Sequence, residues 1–183
     1  MTKRAFLVLG PESSGTRLMT KLLISGGCWG DEGHGQRLDG MSRAALVQLG
    51  PPLIVWRRSV PHNGQWPDVR GIAAGLRDCG YSVTALVMSR DWHATACSQL
   101  AAPHAETVAE ALANIQRAYR DIFAGLDGVP YEVVNYEALV LHGRPVLRYL
   151  MRRLGLPMAR GADIYDGNEK WYPQEAGRKG AAA

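Results

Sequence analysis

Residues 5–18, AFLVLGPESSGTRL, decide how the rest of the chain is interpreted. They begin with a short continuous apolar run at 5–9, which is typical of a buried parallel strand. The run ends in Gly-Pro, and apolar residues at helical spacing follow at 15–24. The stretch therefore predicts a strand, a loop bounded by Gly10 and Gly15, and a helix, in that order.

The loop between this strand and this helix has the residue types of an anion-binding site. Ligands of open α/β sheets bind at the carboxyl ends of the strands. Ser14, Gly15 and Thr16 come at a helix N-terminus, where unpaired amides and the helix dipole favour an anion. Ser13, Ser14 and Thr16 add hydroxyl donors, and Arg17 adds a permanent charge. The alternative interpretation is a capped tight turn that binds no ligand.

The glycine spacing matches a Walker A loop, but the residues after the second glycine do not. A Walker A loop continues with Lys and then Ser or Thr, whereas Thr16 and Arg17 follow Gly15 here. The Lys that reaches a β/γ-phosphate pair and the hydroxyl that usually binds Mg²⁺ are both missing. An ATPase or a kinase is therefore disfavoured, although it stays open as an alternative.

The remaining sequence alternates between apolar runs and amphipathic segments. Further strands are predicted at 53–56, 81–88 and 131–135, further helices at 68–78, 91–101, 107–123 and 145–154, and polar loops at 28–43 and 57–68. This alternation predicts an α/β fold, a three-layer parallel sheet with helices on both faces that is P-loop NTPase-like. We expect one domain over 1–183, with an irregular tail at 173–183.

Composition and charge narrow the class of protein. Of the 183 residues, 46% are hydrophobic and 21% are charged, which is an ordinary soluble globular composition. The net charge of +4 is not gathered into a basic run, so it suits a pocket for a polyanionic small molecule better than a nucleic-acid surface. The three cysteines show no metal spacing, and the first apolar run is too short for a signal or a membrane span. We therefore expect a cytoplasmic protein without a metal site.

A second candidate anion site follows the strand predicted at 81–88. Arg90 leaves the end of that strand, and Ser98 follows eight residues later, about two helical turns further on. Ser89 or Asp91 can cap the helix between them. An arginine and a serine in this arrangement can hold a phosphate group, and the alternative is a capped helix with a solvated arginine.

Four stretches, taken in order, resemble the PAPS-dependent sulfotransferases, which use 3′-phosphoadenosine 5′-phosphosulfate on a P-loop-like α/β fold. SSGTRL, with Pro11 before it, is similar to the PKSGTTWL-type loop of that family. The spacing of Arg90 and Ser98 is similar to the RxPxxxxxS-like segment. VVNYEAL at 133–139 and LRYLMRRLGLP at 147–157 resemble the strand with a YE-plus-Leu motif and the helix that ends near FLGLP.

The resemblance implies a sulfotransferase-like fold and a function for each of the two candidate sites. The loop after the first strand would hold the 5′-phosphosulfate of the donor, and the second site would hold its 3′-phosphate. The expected donor-binding residues are Ser13, Ser14, Gly15, Thr16, Arg17, Arg90 and Ser98. The product of the donor would be 3′,5′-adenosine diphosphate.

The sequence departs from the family pattern at three places. Ser13 stands where the family usually has Lys or Arg, and Arg17 or Lys21 are candidates to replace that cation. Glu12 is unexpected beside an anion, and we expect it to be turned outward or to pair with an arginine. GRKG at 177–180 resembles an RKG segment that binds the 3′-phosphate in the family, and the alternative is a basic tail.

Sulfuryl transfer resembles phosphoryl transfer, in which positioning and charge stabilisation supply most of the catalysis. A base must also take the proton of the acceptor hydroxyl. The candidate bases are Glu32, His34 and His62, and Arg17 is the candidate catalytic cation. The polar loops at 28–43 and 57–68 would shape the acceptor site, so we expect a carbohydrate or another small hydroxylated acceptor.

Three other functions are kept as alternatives. A small P-loop kinase explains the loop but not the missing Lys or the Arg90–Ser98 pair. A non-catalytic nucleotide-binding module explains Ser13 and Glu12. A hydrolase built on Ser59, His62 and Asp68 is disfavoured, because these residues lie close together on one predicted loop and lack a nucleophile-elbow pattern.

Overall fold

The computed structural model describes residues 3–30, 43–158 and 164–172. Within them, one parallel sheet contains β1 (Lys3–Gly10), β2 (Leu53–Ser59), β3 (Tyr81–Ser89) and β4 (Tyr131–Asn135), in the spatial order β2-β1-β3-β4. The helices are α1 (Thr16–Ser25), α2 (Arg43–Leu49), α3 (Val69–Asp78), α4 (Trp92–Ala101), α5 (Val108–Gly125), α6 (Tyr136–His142) and α7 (Arg144–Arg153). A 3₁₀ turn follows at Glu169–Trp171. The predicted parallel α/β fold is thus confirmed.

Strand β1 lies at the centre of two hydrophobic cores because its side chains alternate between the faces of the sheet. Ala5, Leu7 and Leu9 pack with residues of α3 and α5 on one face. Phe6 and Val8 pack with residues of α1, α6 and α7 on the other face. Helices therefore cover both faces, which explains the continuous apolar run at 5–9 within β1.

Strand β2 is longer than the sequence pattern predicts. The apolar run at 53–56 ends before two arginines, which suggested a loop from Arg57 onward, but the strand continues to Ser59. The ladder with β1 extends from Val8 opposite Arg57 to Gly10 opposite Ser59. Backbone pairing with a central strand thus overrides the charged sequence, and it places Arg57 in the sheet with only 6% of its surface exposed.

Two short helices were missed by the sequence analysis. Helix α2 is seven residues long, and helix α6 has the same length and follows β4 without an intervening loop. Asn135 ends β4 and also caps α6, since its Oδ1 accepts a hydrogen bond of 2.7 Å from the Ala138 amide. Neither helix is long enough to give a clear helical period.

Several predicted features lie outside the described residues. Most of the predicted loop at 28–43 does so, including the candidate bases Glu32 and His34. The tail at 173–183, with GRKG at 177–180, does so as well. These features therefore stay predictions. No helix within residues 3–30, 43–158 and 164–172 is long and apolar enough to cross a bilayer.

The strand order determines where a ligand can bind. From β1 the chain passes first to β2 on one side and then to β3 on the other. This reversal opens a crevice at the carboxyl edge of the sheet, where ligands of doubly wound folds bind. The loop after β1 and the segment after β3 meet at this point.

Candidate functional site

A cavity of about 800 Å³ occupies the carboxyl edge of the sheet. Its wall is built by the loop after β1, the first turns of α1, the end of β2 with the turn after it, helix α4 and the segment 165–170. Among the lining residues are the cationic side chains Arg17, Lys21, Arg57, Arg90 and Lys170. A cavity of this size with several positive charges suits a polyanionic small molecule.

The loop after β1 turns sharply so that α1 starts at the cavity. Ser13 has φ 68° and Gly15 has φ 94°, and both values lie in the left-handed region. A Cβ atom on Gly15 would lie 2.7 Å from Cδ2 of Tyr136, so this backbone has no room for a side chain. Glycine is therefore required at this position for both conformation and space.

The N-terminus of α1 keeps polar groups available. Gly15 is the N-cap and supplies no side-chain hydrogen bond to the first amides. The Oγ atom of Ser14 is buried and has no hydrogen-bond partner among the described residues. An unpaired buried hydroxyl is costly. This hydroxyl therefore lies beside helix amides that no described side chain caps, which is the kind of helix N-terminus that can hold an anion.

Side chains on α1 extend this site. The hydroxyls of Thr16 and Ser59 lie 3.3 Å apart and join the start of α1 to the end of β2. Arg17 and Lys21 line the cavity from exposed positions one helical turn apart. Both side chains therefore lie at the cavity wall, and their role as a replacement for the cation missing at Ser13 stays a prediction.

Arg90 lies at the crevice between β1 and β3, where its guanidinium contacts the loop after β1 and the segment 164–172. Nη1 donates to the Ser13 carbonyl at 2.6 Å, Nε donates to Asn168 Oδ1 at 2.7 Å, and Nη2 donates to the Gly167 carbonyl at 3.1 Å. The guanidinium also lies over the Tyr136 ring, 4.7 Å from its centroid. Arg90 and Ser98 both line the cavity, but Arg90 is not the solvated arginine of the alternative interpretation.

Residues of α6 hold the segment 164–172 against this site. The Tyr136 hydroxyl accepts a hydrogen bond of 2.9 Å from the Gly167 amide. Glu137 Oε1 accepts bonds of 3.0 Å from the Asp91 amide and 2.8 Å from Asn168 Nδ2. Burial raises the pKa of Tyr136, although the Gly167 amide and Arg90 oppose the shift. Tyr136 and Glu137 therefore connect the start of α6 with the segment after β3 and with the segment 164–172.

Glu12 is turned inward, which corrects the expectation that it could face outward. Only 7% of its surface is exposed. Its Oε1 accepts a hydrogen bond of 3.1 Å from the Asn63 amide, and its Oε2 lies 3.4 Å from Nδ1 of His104. Burial raises its pKa, while His104, the Asn63 amide and the charge of Arg57 act in the opposite direction.

Among the candidate bases, His62 is the one that the structure describes. It lines the cavity, and its backbone pairs with Gln65 in the turn after β2. The sequence analysis missed His104 and Asn63, which also line the cavity. No local motif marks either residue, because the fold brings them from separate turns to Glu12.

The hydrolase alternative finds no support in this geometry. Ser59 pairs with Thr16. Asp68 caps α3, since its Oδ1 accepts a hydrogen bond of 2.9 Å from the Gly71 amide. A carboxylate engaged in this way is not directed at His62 as a catalytic triad would require.

Comparison with known proteins identifies the fold. No protein-family model and no curated protein sequence matches the chain. The solved structure of the sulfotransferase domain of an olefin synthase from Synechococcus PCC 7002 is similar, with a TM-score of 0.55 and 17% sequence identity. The similarity covers 93% of this chain and 83% of that domain. The chain therefore has a sulfotransferase-like α/β fold.

Proposed function

We propose that the protein is a sulfotransferase that moves a sulfuryl group from 3′-phosphoadenosine 5′-phosphosulfate to the hydroxyl of a small-molecule or carbohydrate acceptor. One observation carries the proposal: the N-terminus of α1, which no described side chain caps, opens on a cavity lined by Gly15, Thr16 and several cationic side chains. The buried Ser14 hydroxyl, which has no partner among the described residues, belongs to the same loop. The sulfotransferase-like fold and the four sequence motifs agree with this assignment.

The loop after β1 suits the 5′-phosphosulfate end of the donor. Ser14 and Thr16 would supply hydroxyl groups, and the amides at the start of α1 would supply N–H donors. Gly15 lets the loop take its left-handed backbone against the Tyr136 ring, and this turn sets the direction of the amides that follow. The donor supplies an activated sulfuryl group, and the chain supplies the groups that hold its negative charge.

The segment after β3 suits the 3′-phosphate end. A guanidinium carries five N–H donors, and Arg90 uses three of them in the bonds to Ser13, Asn168 and Gly167. Two N–H groups are thus left for a ligand, and Ser98 lines the same cavity. Because Arg90 is fixed by its protein partners, little conformational entropy would be lost when it binds a phosphate.

In this proposal, cationic side chains of α1 stabilise the negative charge of the transition state. Arg17 and Lys21 line the cavity one turn apart and would neutralise charge on the sulfuryl oxygens and on the departing phosphate. This arrangement offers a replacement for the cation that the family usually has at the position of Ser13. The acceptor would lie against the polar wall of Ser59, His62 and Asn63, which suits a hydroxylated molecule.

Ligand-dependent thermal stability tests this function. We expect 3′,5′-adenosine diphosphate to raise Tm without Mg²⁺, since a ligand at 100 times its Kd adds about 2.7 kcal/mol to stability. ADP and ATP, which lack the 3′-phosphate, should give smaller shifts. A larger shift with ATP and Mg²⁺ would instead indicate the kinase.

A substitution in the loop makes the test specific to the proposed site. Ser14→Ala should weaken calorimetric binding of 3′,5′-adenosine diphosphate by about tenfold, or about 1.4 kcal/mol, because a donor to the ligand is lost. The protein should not lose stability, since the removed hydroxyl has no partner in the described part of the chain. Ser25→Ala, at the exposed far end of α1, is the matched control and should bind normally.

A further inference from the structure

Glu12 and His104 form a carboxylate–imidazole pair in the wall of the cavity. His104 Nδ1 lies 3.4 Å from Glu12 Oε2, and the exposed fractions of the two side chains are 35% and 8%. A buried carboxylate next to a partly exposed imidazole is the arrangement in which one group orients the other. The pair is contributed by the loop after β1 and the turn after α4.

Hydrogen bonds from the turn after β2 and from α4 hold this pair in place. The Asn63 amide, in the turn after β2, donates to the second carboxylate oxygen of Glu12 at 3.1 Å. Gln99 Nε2 donates to the Glu12 carbonyl at 2.9 Å, and the His104 amide donates to the Gln99 carbonyl at 2.8 Å. Both partners are therefore fixed before any ligand arrives.

The ring chemistry of His104 follows from this contact. An Nδ1–H directed at a carboxylate places the proton of a neutral imidazole on Nδ1 and leaves a lone pair on Nε2. Nδ1 is the ring nitrogen that contacts Glu12, and His104 lines the same cavity as Thr16 and Ser59. Catalytic hydrogen bonds are commonly longer before the substrate binds, so a distance of 3.4 Å fits this role.

We propose that His104 is the general base for the acceptor hydroxyl and that Glu12 is its positioning residue. This inference rests on the proposed function. The acceptor oxygen forms a bond to sulfur while the bond from sulfur to the bridging oxygen of the donor breaks, and its electron pair leaves with the phosphate of 3′,5′-adenosine diphosphate. The hydroxyl proton moves to His104 Nε2, and Glu12 stabilises the resulting imidazolium.

The pair also indicates the class of acceptor. An alcohol hydroxyl holds its proton at neutral pH and needs a base, whereas an acidic phenol is already ionised in weakly alkaline buffer. A positioned base contributes about 10²–10⁴ in rate. We therefore assign the site to alcohols, such as the hydroxyl groups of carbohydrates, rather than to acidic phenols.

The test compares two kinds of acceptor in the whole protein. Transfer of radiolabelled sulfur is measured to a panel of monosaccharides and simple alcohols, and to 4-nitrophenol under conditions where it is ionised. We expect His104→Ala to lower kcat for the alcohols by about 10²–10⁴ with little change in KM, and to leave transfer to 4-nitrophenolate within about threefold. Added imidazole should restore part of the alcohol activity.

Control variants separate catalysis from structure. Glu12→Gln should lower kcat for alcohols by about tenfold to a hundredfold, which is less than His104→Ala, because the base remains but loses its orienting charge. His142→Ala changes an exposed histidine at the end of α6 and should leave both reactions unchanged. Calorimetric affinity for 3′,5′-adenosine diphosphate should stay within about twofold of wild type in all three variants.

Two results would overturn the assignment, and they are distinguishable. If the wild type binds 3′,5′-adenosine diphosphate and transfers sulfur, but His104→Ala slows both acceptors equally or neither of them, His104 is not the base and the proposed function stands. If the wild type neither binds that nucleotide nor transfers sulfur to any acceptor, the proposed function fails and the base assignment fails with it.

Discussion

The loop after β1 and the segment after β3 both have residue types that are typical of an anion site. Their polar groups differ in whether they have hydrogen-bond partners within the protein. In the loop, Ser14 Oγ is buried without a partner in the described residues, and Gly15 caps α1 without a side-chain bond. In the segment, Arg90 donates to three protein acceptors and Asp91 caps α4. The first region thus has polar groups without protein partners in the described residues, whereas the polar side chains of the second region join separate segments of the structure.

The acidic residues of the two regions show the same contrast. Burial raises the pKa of Glu12 in the loop. The hydrogen bond from the Ala94 amide lowers the pKa of Asp91 in the segment, and a bond with Tyr172 adds to the effect. Burial of the Glu12 carboxylate is thus unfavourable, while the Asp91 carboxylate stabilises a helix. Similar polar motifs in the two regions thus have different hydrogen-bond partners in the folded chain.

The largest expected effect is that of Gly15→Ala in the loop. A left-handed backbone costs a non-glycine residue about 1–2 kcal/mol, and the added Cβ would lie 2.7 Å from the Tyr136 ring. The ring cannot move easily, because Arg90 covers it and the Gly167 amide binds its hydroxyl. We expect a loss of about 2–4 kcal/mol in the free energy of unfolding, measured by urea denaturation.

Gly27→Ala is the matched control for this prediction. Gly27 has φ 97°, close to the 94° of Gly15, and a Cβ there would meet nothing within 4 Å. It should therefore show the backbone cost alone, about 1–2 kcal/mol, and leave binding of 3′,5′-adenosine diphosphate unchanged. Equal losses in the two variants would mean that the contact with Tyr136 does not constrain the loop.

The next effect separates the two roles of Arg90. Arg90→Ala should weaken binding of 3′,5′-adenosine diphosphate by about 1.5–3 kcal/mol, the range for a hydrogen bond to a charged group. The same variant should lower stability, since Asn168 and Gly167 lose their partner. Calorimetry and denaturant unfolding measure the two effects independently.

Asn168→Ala removes one partner of Arg90 and leaves the guanidinium in place. It should lower stability, because Asn168 also donates to Glu137 at 2.8 Å, but nucleotide affinity should change little. If Asn168→Ala weakens nucleotide binding as much as Arg90→Ala does, the role of Arg90 in binding is indirect. Arg90 would then serve only to join the loop after β1 to the segment 164–172.

The smallest effect concerns the pH dependence of stability. A carboxyl whose pKa is lowered on folding adds stability above its ordinary pKa, and this contribution is lost as the pH falls through the folded value. A carboxyl whose pKa is raised does the reverse, so stability falls as the pH rises from its ordinary value to the folded one. The ordinary values are 3.8 for Asp91 and 4.5 for Glu12.

Two amide substitutions should therefore change the pH dependence of stability, one below and one above the ordinary pKa of the substituted carboxyl. Asp91→Asn keeps a helix cap and should reduce the loss of stability below the ordinary pKa of Asp91. Glu12→Gln should remove the loss of stability above the ordinary pKa of Glu12. Urea midpoints across the acidic range measure both effects. If the slope of stability against pH changes with the same sign in the two variants, the contrast between the regions is contradicted.

Several elements could be predicted from the sequence because their signals are local. The apolar run of β1 and the glycines at 10 and 15 predict a strand, a loop and a helix, and the structure has them in that order. The seven-residue helices α2 and α6 were missed, since so short a segment shows no clear period. The extension of β2 to Ser59 was missed because pairing with β1 is a long-range interaction.

Local sequence patterns are enough to predict the parallel α/β architecture and the position of the loop before α1. Strand and helix periods, glycine positions and capping residues act over a few neighbouring residues, so they can be read along the chain. Tertiary contacts determine which polar groups of the described residues are paired and which are not. In the described part of the chain, Ser14 Oγ is buried without a hydrogen-bond partner, Arg90 donates three hydrogen bonds, and Glu12 contacts His104. Sequence patterns do not show these features, because burial and contacts between distant segments depend on the whole fold.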